Sequence, residues 1–144
     1  MISISKIEDA WKTDALANIT GIKSVQTHES DLDAKTLAML IPQSPFVFLR
    51  WGGIIPDPGE RMADEASGSK KCKFFLSVGA TSLLSRQTSQ RGAYDILDAI
   101  IDRYDGRTLT TTEGSIDLAL ESAEFLFSDG GLIVYGVEFS YYDN

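Results

Sequence analysis

Side chains suited to catalysis are few in this chain. There is one histidine, His28, and one cysteine, Cys72, among 144 residues. A single histidine excludes a two-histidine metal site, and most histidine-based triads, unless a second subunit contributes. His28 lies in the polar stretch QTHESD, which is typical of a surface histidine.

Cys72 has the spacing of a buried residue. It alternates with Phe74, Leu76 and Val78, so it belongs to the apolar face of a predicted strand. Nothing nearby in sequence would lower the pKa of its thiol, and we expect a small hydrophobic residue here rather than a nucleophile. A single cysteine also excludes a disulfide within the chain.

Catalytic motifs are missing from the sequence. It contains no GxGxxG, GxxxxGK[ST], GxSxG or HExxH pattern. Glu121 and Glu124 are close in sequence, but nothing favours two-carboxylate glycosidase chemistry at them. We therefore predict that the protein is not an enzyme, with no catalytic residue, metal or cofactor.

Charge is distributed unevenly along the chain. The net charge is −8 and the pI is about 4.5, which disfavours specific nucleic-acid binding. Residues 70–107 carry seven basic and four acidic side chains, whereas residues 108–144 carry seven acidic and no basic ones. Two explanations of this distribution are open. Solvent-exposed faces of one copy simply carry net charges of opposite sign, or a basic patch of one copy contacts an acidic patch of the next, head to tail.

Charge and position suggest eight residues as candidates for an assembly interface. They lie in the basic segment 70–107, in the predicted loop at 52–69, or at the end of the strand before that loop. The candidates are Arg50, Trp51, Glu60, Arg61, Lys71, Lys73, Arg86 and Arg91.

Hydrophobic periodicity predicts one domain, residues 1–144, of mixed helices and strands. The predicted elements are a helix at 5–18, a strand at 22–27, a short helix at 31–41, strands at 46–51 and 71–80, a helix at 88–105, and strands at 115–128 and 132–142. Residues 52–69 contain four glycines and two prolines and predict a long flexible loop. No apolar run approaches the ~20 residues that a membrane span needs, so we expect no membrane contact.

Individual residues indicate where the predicted helices begin or end and where a strand is interrupted. Ser5 and Glu8 match a capping box at the first helix, and Gly106 is a stop for the helix at 88–105. A phase shift in the apolar pattern predicts a β-bulge near Ser122–Ala123. We expect both tryptophans, Trp11 and Trp51, to anchor the core. The result is an α+β fold, a mostly antiparallel sheet of four to five strands with two main helices packed on it.

Three stretches carry a family resemblance: ISKIEDAWK near the start, KFFLSVGATSLLSRQTSQRGAYDILDAIIDRYDG in the centre and GGLIVYGVEFSYY near the end. In this order they resemble the small tail proteins of Mu-like phages and prophages. The layout is also similar to the tail terminator, or tail completion, proteins of long-tailed phages. The resemblance covers nearly the whole chain but includes no catalytic signature.

The resemblance implies a structural role and a tail-terminator-like fold. Such proteins form a hexameric ring on the tail tube, stop its growth, fix tail length and present the head–tail joining surface. The implied partners are further copies of the chain, the tail tube or sheath protein and the head connector, with the isolated chain a monomer in some cases. The implied location is the bacterial host cytoplasm during assembly and then the virion tail. Another neck or baseplate structural protein, and a small-molecule-binding domain with its site at the 52–69 loop, remain alternatives.

Overall fold

Two helices and seven strands form the described part of the chain. The computed structural model describes residues 2–27, 45–55, 70–81, 86–129 and 132–143. In chain order the elements are α1 (Ile4–Asn18), β1 (Ser24–Thr27), β2 (Phe46–Ile55), β3 (Lys70–Thr81), α2 (Arg86–Tyr104), β4 (Thr108–Thr111), β5 (Gly114–Asp117), β6 (Ala119–Asp129) and β7 (Leu132–Asp143).

Five strands form one sheet in the order β1-β2-β3-β7-β6. All neighbours are antiparallel except β1, which runs parallel to β2. The strands β4 and β5 form a separate hairpin. The predicted α+β class, with a mostly antiparallel sheet and two main helices, is confirmed.

The main core lies between one face of the sheet and the two helices. On β3, Cys72, Phe74, Leu76 and Val78 are all buried, as their alternation predicts. Trp11 of α1 is fully buried, and its ring lies 5.2–5.5 Å from the rings of three other core aromatics, which are Phe74, Tyr104 and Phe139. Trp11 is therefore the core anchor that the sequence predicts.

The helix α2 covers the centre of the sheet with an apolar stripe. Ala93, Ile96, Leu97, Ile100 and Tyr104 are buried, while Ile101 is half-buried. Just past the helix end, Gly106 has a φ of 69°, a left-handed conformation that favours glycine. Its N–H donates to the carbonyl of Leu118, 2.9 Å away, which ties the end of α2 to the strands.

The boundaries of the predicted loop need correction. Residues 52–55 continue strand β2 rather than opening a loop, with a bulge between Trp51 and Gly53. Gly53 has a φ of 104°, so glycine lets the strand bend there and continue. Residues 56–69, and the helix predicted at 31–41, lie outside the described residues.

The long strand predicted at 115–128 is also divided. Residues 114–117 pair with 108–111 as the β4–β5 hairpin, and β6 begins only at Ala119. The β4 sequence TLTT is β-prone but too short to give a periodic signal. The predicted bulge is present one residue early, at Glu121 between Leu120 and Ser122, and a second follows at Leu126.

The predicted capping box at the first helix is wrong. The N-cap of α1 is Ser3, and its side chain makes no capping bond to the helix. Instead, the Ser3 N–H donates to a carboxylate oxygen of Glu113, 2.9 Å away in the turn between β4 and β5. A distant glutamate thus takes the part that the sequence pattern assigns to Glu8.

Candidate functional site

Three of the candidate interface residues share one face of the β2–β3 hairpin. Leu49 and Trp51 point toward the helices, so Arg50 between them lies on the opposite face of the sheet, which we call the outer face. By the same alternation, Lys71 and Lys73 lie on the outer face of β3. The structure therefore brings Arg50, Lys71 and Lys73 together, as adjacent strands require.

The two lysines are paired within the chain. Lys71 Nζ lies 2.9 Å from Glu121 Oε1, and Lys73 Nζ lies 2.6 Å from Glu138 Oε1. Ser140 Oγ also donates to Glu121 Oε1, at 2.6 Å. Part of the contact between the basic and acidic blocks is thus made inside one copy, across β3, β7 and β6.

These contacts set the protonation states of the pair. The hydroxyl of Ser140 and the ammonium of Lys71 lower the pKa of Glu121, and the hydrogen bond to Glu121 raises the pKa of Lys71. Both groups stay charged at neutral pH. Because their side chains are about one third exposed, the pair contributes at most about 1 kcal/mol to stability.

Arg50 makes a cation–π contact next to these pairs. Its guanidinium carbon lies 5.5 Å from the centroid of the Phe75 ring, on the directly opposite position of β3. A side chain at Gly52 would collide with the same ring. Glycine at this position therefore lets Phe75 lie across β2 beside Arg50.

A second hydrophobic cluster occupies the other end of the outer face. It consists of Phe46, Phe48, Leu132 and Val134, with Phe127 packed against them. Gly79 leaves the space that the Phe46 ring fills. The outer face is thus apolar at one end and charged at the other.

The remaining candidates do not join this group. Trp51 is half-buried on the helix face and packs against the main core, as expected of an anchor. Arg86 and Arg91 belong to the first turns of α2, and the placement of their side chains is not described. Glu60, Arg61 and His28 lie outside the described residues.

Sequence reasoning missed a groove between the two helices and β4. Its volume is about 1070 Å³, and residues from α1, the end of α2 and the threonine-rich strand β4 line it. On its wall, Arg103 Nε and Nη2 each donate to Asp14, at 2.7 Å, and the Tyr104 hydroxyl donates to the same carboxylate at 2.7 Å. The partners are 89 and 90 positions apart, so no local spacing signals them.

The hydrogen bonds on the groove wall join α1 to the end of α2, and we call Asp14, Arg103 and Tyr104 the latch. Hydrogen bonds from Arg103 and Tyr104 lower the pKa of Asp14, despite its partial burial. Burial and the neighbouring carboxylate raise the pKa of Tyr104 well above its usual range. The Asp14 carboxylate already accepts hydrogen bonds on both oxygens, and the Tyr104 phenol stays neutral. Both groups are therefore poor acid–base catalysts at neutral pH.

The described ranges also lack a cluster of metal-ligating side chains. No group of three or more His, Cys, Asp or Glu residues there could hold a metal ion. Neither described helix is long and apolar enough to cross a membrane.

Comparison with known proteins shows a likeness of fold. The sequence matches no protein-family model and no curated protein. Among solved structures, the chain resembles one from the virion of a native gene transfer agent particle, with a TM-score of 0.57 and 14% sequence identity. The alignment covers 96% of this chain and 91% of the other. The two proteins share a fold over almost their whole lengths.

Proposed function

We propose that the protein is a structural component of a phage-like virion and acts there as a tail terminator. In this role a ring of six copies caps the tail tube, fixes tail length and forms the surface that joins tail to head. The carrying observation is the fold shared, over nearly its full length, with a chain of a gene transfer agent virion. The resemblance of the three sequence stretches to phage tail proteins also supports this role.

The surface chemistry is compatible with a ring through which DNA passes. A chain with a net charge of −8 repels phosphates rather than holding them. The partners we propose are other copies of the chain, the tail tube or sheath protein and the head connector. The protein acts by occupying a surface and not by catalysis, first in the host cytoplasm and then in the virion tail.

The outer face is the surface we propose for contact with the tail tube. Its charged end, around Arg50 and Lys73, is accessible to a partner, whereas the apolar cluster around Phe46 is buried within the chain. Lys71 and Lys73 already have partners in the chain, so a tube protein would share them. Trp51, Glu60, Arg61, Arg86 and Arg91 remain proposed interface residues.

Tube capping can be tested directly with purified components. Tail tube protein of the same virion is polymerised with increasing amounts of this chain, and tube length is measured by negative-stain electron microscopy. We expect shorter tubes, with gold-labelled protein at the tips. Labelling along the sides, or unchanged length at saturating protein, would contradict the proposal. Binding to the connector but not to tubes would support the alternative of another neck protein.

A further inference from the structure

We draw no further inference here: the strongest candidate, the exposed apolar edge of the sheet where Tyr94 of α2 lies beside Phe125 and Leu126 of β6, carries none, because nothing in the structure shows what covers it.

Discussion

Asp14 shows most clearly how single residues hold this molecule together. Its carboxylate joins α1 to the end of α2 through both Arg103 and the Tyr104 hydroxyl. The Tyr104 ring packs against Trp11 and Phe139, so the latch fixes the aromatic centre of the core as well. The groove beside it follows from this packing and needs no ligand to explain it.

We predict that Asp14→Asn destabilises the protein by about 1–2 kcal/mol at neutral pH, because charge-assisted hydrogen bonds become neutral or are lost. The pKa of Asp14 is lowered in the folded state, so its contribution is present above the unfolded value and is lost as the pH falls below about 4. Urea denaturation of both proteins between pH 7 and pH 3 measures this. The exposed Asp9→Asn is the matched control, and a difference that does not shrink with acid would contradict the assignment.

Glycine-to-alanine substitutions at Gly79 and Gly92 test the packing of the sheet and of α2. A methyl group at Gly79 collides with the Phe46 ring, whereas at Gly92 in α2 it meets only the Ala80 side chain at 3.6 Å. Gly79→Ala should cost about 2–3 kcal/mol through overpacking, and Gly92→Ala should stabilise by about 0.5–1 kcal/mol through helix propensity. Thermal denaturation compares them, and similar effects at both sites would contradict the packing.

At the scale of elements, the sheet and helices were largely predictable because burial imposes clear periods. The alternation on β3 is confirmed, and the helix predicted at 88–105 is present as α2, because each element presents one apolar side to the main core. The β4–β5 hairpin was missed because its four-residue strands are too short to show a period. The cap from Glu113 and the latch at Asp14 join positions 110 and 89 residues apart, and no local pattern encodes such partners.

The candidate site was also predictable only where a local pattern encodes it. Strand pairing places Arg50, Lys71 and Lys73 on one face, which alternation in sequence suggests. The pairing of both lysines with glutamates of β6 and β7 depends on register, and the bulge at Glu121 shifts the register of β6 in a way that composition does not encode. Charge blocks alone could not distinguish a contact within one copy from a contact between copies.

The cap of α1 gives a prediction at this scale. Glu113 accepts from the Ser3 N–H at the positive end of the helix dipole, and it couples the hairpin to α1. Glu113→Ala should destabilise the protein by about 1 kcal/mol, and hydrogen exchange should speed up most in the first turn of α1. Thr112→Ala, an exposed change in the same turn, is the control. Unchanged exchange in that turn would show that the carboxylate does not cap the helix.

At the scale of the whole molecule, the sheet has two faces with different roles. The charged part of the outer face is the surface we propose for contact with the tail tube. The two helices cover the other face and complete the main core. This acidic chain has a basic strand, β3, at the centre of the sheet, where Lys73 pairs with Glu138 of the neighbouring β7 and Lys71 pairs with Glu121 of β6, one strand further.

Tail length is the measurement that tests the central claim most directly. The gene is deleted from the genome that encodes it, and the tail-length distribution of the particles produced is measured by electron microscopy with and without the protein supplied in trans. The terminator role predicts headless tails of variable and excessive length, returning to one length on complementation. Tails of normal, uniform length in the deletion strain would contradict it, whether or not heads are attached.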